Sequence, residues 1–112
     1  MVLYKQVFKN YLTTEIVITM KILHLVLKAQ WYNLIEQGEK KEEYRDITPY
    51  YDKRLRNADG SFKHYDAVCL HYGYSSKTMT YKVEDVFIGE GVSSWGADPN
   101  KKYYVIQLGK KL

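Results

Sequence analysis

The chain has 112 residues, a formal net charge of +4, 46% hydrophobic residues and 27% charged residues. This length predicts a single domain with one hydrophobic core, and the composition excludes a disordered chain. No apolar run reaches the length that a membrane-spanning helix requires, so we expect no membrane association. The small excess of positive charge permits an anionic partner without requiring one.

Residues 1–19 are predicted to be an N-terminal extension of a domain that spans residues 20–112. The polar residues Lys5, Lys9 and Asn10 interrupt this extension, which lacks the apolar stretch and cleavage site of a secretory signal. Its last residues, TEIVIT, are rich in β-branched side chains. They can therefore add one edge strand to the domain.

The first half of the domain has the pattern of a strand followed by a helix. Residues 21–28, KILHLVLK, form a nearly continuous apolar run that is typical of a central strand. The next segment places Trp31, Leu34 and Ile35 at helical spacing, and Gly38 stands where a left-handed residue ends a helix. This helix and its final turn lead directly into the charged segment GEKKEEYR.

The second half begins with a brief helix and continues mainly as strands. Thr48 is predicted to cap the helix, with Pro49 at its first position. Alternating apolar residues predict strands near residues 66–72, 78–88 and 103–109. Five or six strands with two short helices indicate an α+β domain built around a small barrel or a strongly curled sheet.

Aromatic residues make up 15% of the chain, and twelve of them are tyrosines. Most of these rings are expected to fill the core, since tyrosine packs its ring while its hydroxyl stays hydrated. The predicted core aromatics are Trp31, Tyr72, Tyr81 and Tyr104. Trp95 is harder to explain as core because it lies in the glycine-rich loop GEGVSSWGADPN.

The charged segment contains three residues that can act together, Lys40, Glu43 and Arg45. If residues 40–47 are extended, Glu43 and Arg45 point to the same side and pair, while Lys40 can turn toward either face. A guanidinium oriented in this way keeps donors for phosphate oxygens or for the edge of a base. The alternative is an ordinary solvated face, where such a pair contributes roughly 0–1 kcal/mol.

Aromatic residues near this segment are candidates for a stacking surface. Base–aromatic stacking is worth about 1–3 kcal/mol per base in proteins that bind single strands. The candidates are Tyr44, Tyr50, Tyr51 and Trp95.

The order of these features resembles the ASCH domain family of the PUA-like superfamily. The motif Gly-x-Lys-x-x-Glu-x-Arg is filled by Gly38, Lys40, Glu43 and Arg45, after a strand and a helix that contains a tryptophan. Later strands and a Gly-Glu turn at 89–90 extend the resemblance over residues 20 to 109. It implies a small PUA-like β-barrel of five to six strands with a cleft beside the first helix, which binds RNA, a nucleotide or a nucleoside. We expect this cleft to be basic.

The same resemblance implies an enzymatic alternative, because some small ASCH proteins are amidohydrolases that act on N4-acetylcytidine. Those enzymes have a threonine at the position of Glu43, so their hydroxyl chemistry does not transfer directly to this chain. Lys40, Glu43 and Glu90 remain the candidate catalytic residues. A third alternative is an interaction domain that binds no nucleic acid, which a neutral or acidic surface around Arg45 would favour.

The histidines and the single cysteine give no sign of a metal site in the sequence. His24, His64 and His71 show no metal-ligand spacing with one another or with Cys69. We therefore expect neither a metal nor a cofactor. Cys69 is predicted to be a buried, reduced thiol, which fits a cytoplasmic protein.

Overall fold

The computed structural model describes residues 2–9 and 15–112 of the chain. The α+β class is confirmed, since these residues form six strands, two α-helices and a short 3-10 helix at Ser93–Trp95. The main elements in chain order are β1 (Val2–Lys9), β2 (Glu15–Leu27), α1 (Ala29–Glu36), β3 (Glu42–Arg45), α2 (Pro49–Leu55), β4 (Ala67–Tyr72), β5 (Thr78–Glu90) and β6 (Lys102–Lys111).

The strands form one mixed sheet in the order β1-β2-β4-β5-β6-β3. β2 and β4 are parallel, and the other neighbours are antiparallel. β1 occupies the free side of β2, and the four-residue strand β3 ends the sheet on the far side of β6. Among the described residues no pairing joins β1 to β3, so closure of the sheet into a barrel is not confirmed.

Within the segment TEIVIT, the described residues 15–19 are the first part of β2 and do not form a strand of their own. This strand runs without a break past residue 20 and pairs with β1 from Glu15 opposite Lys9 to Ile22 opposite Val2. β1 therefore takes the edge beside residues 15–22, while residues 22–27 pair with β4 on the other side of β2. The run at 21–28 is a strand as far as Leu27, but among the described residues only Ile22 has a strand partner on both sides, so the predicted central position is not confirmed. The division at residue 20 stays a prediction.

Both helices form where the sequence predicts them. Gly38 follows α1 with a φ of 82°, the left-handed conformation that glycine adopts without a steric penalty. Thr48 caps α2, since its Oγ1 accepts a hydrogen bond of 3.3 Å from the backbone N–H of Tyr51. The end of α1 at Gly38 and the start of α2 at Thr48 therefore limit the segment that contains β3.

The main core lies on one face of the sheet. Alternation along β2 places Leu23, Leu25 and Leu27 on this face, where each is at most 2% exposed. Tyr104 is fully buried there, and Tyr81 is 9% exposed. The predicted packing roles of these tyrosines are confirmed, as is that of Tyr72, which packs against the same core; further members include Tyr32, Ile35, Leu55, Val68, Leu70 and Ile106.

β5 is long and irregular, in agreement with the bent strand that the sequence predicts. Its register against β6 shifts between Tyr81 and Val83 and again between Val83 and Asp85. Such irregularities bend a strand and increase its twist. Neither α-helix in the described part of the chain has the length and hydropathy needed to cross a bilayer.

Candidate functional site

The side chain of Lys40 is buried, although the sequence does not predict the face toward which it turns. Only 2% of the residue is exposed, and its Nζ donates a hydrogen bond of 2.5 Å to the backbone carbonyl of Trp95. The ammonium also lies 4.5 Å from the ring centroid of Tyr44 and 5.4 Å from that of Trp31. Lys40 therefore ties the end of α1 to the loop before β6.

Glu43 lies between two cations. One carboxylate oxygen is 3.4 Å from Lys40 Nζ, and the other accepts a hydrogen bond of 3.1 Å from Arg45 Nη2. Burial lowers the pKa of Lys40, and the negative charge of Glu43 opposes this effect. The structure thus brings together Lys40, Glu43 and Arg45, as the motif predicts.

Arg45 is held by three hydrogen bonds that leave part of its guanidinium unused. Nη1 donates to the hydroxyl of Tyr51 at 2.9 Å, and Nη2 donates to the carbonyl of Val26 at 2.9 Å as well as to Glu43. A guanidinium has five N–H donors. The Nε–H is buried and has no hydrogen-bond partner among the residues that the structure describes.

A cavity of about 540 Å³ opens beside these residues, between the end of β2, α1, β3, the start of α2 and the loop before β6. Five aromatic rings line it, together with Arg45 and Glu43. The complete lining is Val26, Leu27, Lys28, Trp31, Glu43, Tyr44, Arg45, Asp46, Thr48, Tyr51, Trp95, Gly96, Asp98, Lys101 and Tyr103. A concave site of this size, with aromatic rings and a few charged groups in its wall, suits a small organic ligand.

Two glycines allow the loop before β6 to approach the aromatic wall. A Cβ on Gly96, whose φ is 104°, would lie 2.9 Å from the Trp31 ring. A Cβ on Gly91 would lie 2.8 Å from the Tyr44 ring and 2.5 Å from the Cβ of Ala97. Both contacts are closer than carbon atoms tolerate, so the shape of the wall depends on glycine at these positions.

The hydroxyl group of Tyr44 is fixed by two hydrogen bonds, one donated and one accepted. The hydroxyl donates to the carboxylate of Glu42 at 2.8 Å and accepts from the backbone N–H of Val92 at 2.9 Å. Burial is the main cause that raises the pKa of Tyr44. The ring is therefore a neutral, fixed part of the cavity wall.

The structure places some predicted site residues at the cavity and others elsewhere. Glu43, Tyr44, Arg45 and Trp95 line it, as does Tyr51, whereas Lys40 contacts the wall but is not a lining residue. Tyr50 is 61% exposed and faces a neighbouring depression. Glu90 is exposed at the end of β5, opposite Lys102, and is not a lining residue.

Sequence reasoning missed several lining residues. Trp31 packs against the core as predicted, but its ring also forms part of the cavity wall. Tyr103 and Lys101 reach the cavity from the start of β6, and Lys28 reaches it from the end of β2. In the sequence, these residues are recognisable only by their position at the start of β6 or at the end of β2, the strands beside the motif.

A second cluster of reactive side chains lies outside this cavity. His24, Cys69 and His71 present ligand atoms that all lie within 4.8 Å of one another. His64 is not part of this cluster and instead lies 2.9 Å from the carboxylate of Asp66. Burial, followed by the nearby His71, lowers the pKa of His24.

Comparisons with known proteins gave no relative. No protein-family model matches the chain, and no curated protein or solved structure matches it.

Proposed function

We propose that the protein is an RNA- or nucleotide-binding module of the ASCH type, and that the aromatic cavity beside α1 receives a single nucleobase. The supporting observation is the convergence of Arg45 with five aromatic rings on one cavity. The ASCH assignment rests on the motif at residues 38–45, and a PUA-like barrel remains part of this proposal. A cytoplasmic location also belongs to it, in keeping with the free, buried thiol of Cys69.

Arg45 supplies the polar recognition. It lines the cavity, and contacts to Glu43, Val26 and Tyr51 fix its orientation. These contacts use three of its five N–H donors and the Nε–H is buried, so the second N–H of Nη1 is the donor left for an acceptor on a bound base. A fixed, planar fork of donors suits the acceptor edge of a base better than a flexible ammonium does.

The aromatic residues supply the stacking surface. Trp31 and Trp95 approach the cavity from α1 and from the loop before β6, and Gly96 lets this loop lie against the Trp31 ring. Stacking does not depend strongly on which base is bound, since every base has a π-face. Recognition of a particular base therefore depends on Arg45 and Glu43.

The cavity lining is electrically balanced and not basic as expected, which is the condition that favours an interaction domain without nucleic acid. For a nucleic-acid ligand, this balance favours contact with a base over contact with the phosphate backbone. Lys28, Arg45 and Lys101 are balanced by three carboxylates, those of Glu43, Asp46 and Asp98. The surface therefore lacks the positive excess that dominates non-specific binding to nucleic acids. At most the two lysines remain for phosphates. With about −0.7 per phosphate contact on a single strand, a plot of the logarithm of the binding constant against that of the salt concentration should have a slope no steeper than about −1.4.

Tryptophan fluorescence provides a direct test, because both tryptophans of the chain line the cavity. We expect nucleosides or short single-stranded RNAs to quench it in a saturable manner. Trp95→Ala should weaken binding by about 1–3 kcal/mol. Tyr74→Ala is the matched control, since Tyr74 is 97% exposed and does not line this cavity, and it should leave the affinity unchanged.

Arg45→Lys tests the polar half of the site, because it keeps the charge and removes the fork. We expect it to weaken binding by about 1–3 kcal/mol. Amide chemical shifts of residues 43–46 and 95–98 should move when ligand is added. Unchanged fluorescence and shifts with every nucleoside and RNA tested would reject the proposal and favour an interaction domain that binds no nucleic acid.

The amidohydrolase alternative is supported by one observation, the lowered pKa of Lys40 beside the carboxylate of Glu43. A lysine and a carboxylate in contact are groups that can act as general acid and base. However, Lys40 donates to the carbonyl of Trp95 and does not line the cavity, which favours binding over hydrolysis. Incubation with N4-acetylcytidine decides between them: conversion that Lys40→Met abolishes would establish the hydrolase, and conversion equal to the enzyme-free rate would eliminate it.

A further inference from the structure

We propose that His24, Cys69 and His71 form a binding site for a borderline-soft transition metal such as Zn²⁺, against the sequence-based expectation that no metal binds. None of these three residues lines the aromatic cavity, although His24 faces the neighbouring depression that Val26 and Arg45 also border. The proposal does not depend on the proposed nucleobase binding. Two imidazoles and one thiol are the ligand types that Zn²⁺ prefers.

The parallel pairing of β2 and β4 brings these residues together. His24 is the register partner of Cys69, and His71 lies two residues further along β4. Because strand side chains alternate, Cys69 and His71 point to the same face. This face is opposite the one on which Leu23 and Leu25 enter the main core.

The distances fit a metal after a small adjustment of the rings. His24 Nδ1 lies 2.7 Å from His71 Nε2, with the ring centroids 5.0 Å apart. Two nitrogens bound to tetrahedral Zn²⁺ at 2.0–2.1 Å are separated by about 3.3 Å. Opening the histidine pair by roughly 0.6 Å would make room for the ion between the nitrogens. The Cys69 sulfur, whose distance to them is at most 4.8 Å, must also come to about 3.5 Å from each nitrogen, which rotation of the side chains can supply.

Burial and scaffold also suit a metal. Cys69 is only 6% exposed, whereas His24 and His71 are half-buried, so the cluster is accessible from the histidine side. All three residues lie on the paired part of β2 and β4, and paired strands hold ligands more rigidly than loops do. Three protein ligands leave the fourth tetrahedral position to water, and the thiol loses its proton when the metal binds.

The test is titration of the purified protein with Zn²⁺ and, for its spectrum, with Co²⁺. We expect one ion per chain and a thiolate-to-cobalt charge-transfer band. Cys69→Ser should abolish this band, and His71→Ala should weaken Zn²⁺ binding more than about tenfold. His64→Ala is the matched control, because His64 has a 77% exposed side chain and pairs with Asp66 away from the cluster; its affinity should match the parent's.

A measurement on the unaltered chain guards against variants that fail to fold. Imidazole ¹⁵N resonances of His24 and His71 should shift when Zn²⁺ is added, while those of His64 stay in place. Absence of the charge-transfer band, or shifts of His64 alone, would overturn the proposal and leave a hydrogen-bonded histidine pair beside a buried thiol. Zn²⁺ binding that neither Cys69→Ser nor His71→Ala alters would do the same.

Discussion

Glu43→Gln tests whether one buried carboxylate holds the charged motif together. Glu43 is 6% exposed and contacts Lys40 at 3.4 Å and Arg45 at 3.1 Å. Glutamine has nearly the same shape but no charge. Lys40 would therefore stay buried without its nearest anion, while Arg45 would keep an acceptor for one of its N–H groups.

The expected cost follows from the burial of both partners. Removal of one member of a buried ion pair costs roughly 3–5 kcal/mol, because the other charge remains desolvated. The acceptor that glutamine retains places Glu43→Gln at the lower end, about 3 kcal/mol. Lys40→Met should cost less, below about 1.5 kcal/mol, since Glu43 keeps its bond from Arg45 and the substitution conserves volume.

Urea unfolding, followed by tryptophan fluorescence and circular dichroism, measures these differences. For a chain of this length about 3 kcal/mol corresponds to a fall in Tm of roughly 12 °C. The double variant Lys40→Met/Glu43→Gln should be more stable than Glu43→Gln alone, because it also removes the desolvated ammonium. Glu39→Gln, on an exposed side chain, is the control and should change stability by less than about 0.5 kcal/mol.

Coupling between the two charges is refuted if Glu43→Gln is as stable as Lys40→Met, or if the double variant is no more stable than Glu43→Gln. Either result would mean that the charges of Lys40 and Glu43 contribute independently. Glu43 could then orient Arg45 for a ligand without supporting the fold, and the loss would appear in nucleoside affinity alone.

Three further outcomes follow from the same contacts. Because the pKa of Lys40 is lowered in the folded protein, the unfolded chain binds more protons in the pH range just below 10.5. The free energy of unfolding should therefore rise with pH in this range, relative to that of Lys40→Met. Urea melts at several pH values measure this trend. Gly91→Ala should push a Cβ into Tyr44 and Ala97, destabilise the protein by about 1–3 kcal/mol in urea melts and also weaken the binding of nucleosides. Thr48→Ala should remove the cap of α2 at a cost of about 1 kcal/mol, measured by thermal unfolding, whereas Thr48→Ser should restore most of it.

The secondary structure could be predicted because local patterns determine it. The alternation in β2 and β4, the spacing of Trp31, Leu34 and Ile35 in α1, and the cap at Thr48 are all visible in short windows of sequence. The sheet order could not be predicted in this way. That β1 covers one side of β2 while β4 lies parallel on the other depends on contacts between segments far apart in sequence.

In the candidate site, too, local geometry was predictable and contacts between distant segments were not. Extended geometry predicts that Glu43 and Arg45 share a side, and the structure shows the pair. The burial of Lys40 was not predictable, since lysine is rarely buried and its acceptor, the carbonyl of Trp95, lies 55 residues away. Likewise, His24 and His71 are separated by 47 residues, so a search for short ligand spacings does not find them.

Helix α2 contacts β2 near both proposed sites, yet the way it is held keeps them separable. Tyr51 accepts a hydrogen bond from Arg45, and one turn later Arg54 donates to the backbone carbonyl of His24 at 2.7 Å. The contact to His24 uses its backbone, so replacing the imidazole or the thiol of Cys69 leaves this anchor of α2 in place. Variants of the metal cluster should therefore retain nucleoside binding, and variants such as Trp95→Ala should retain Zn²⁺ binding. Loss of both activities from one variant would instead indicate a general effect on the fold.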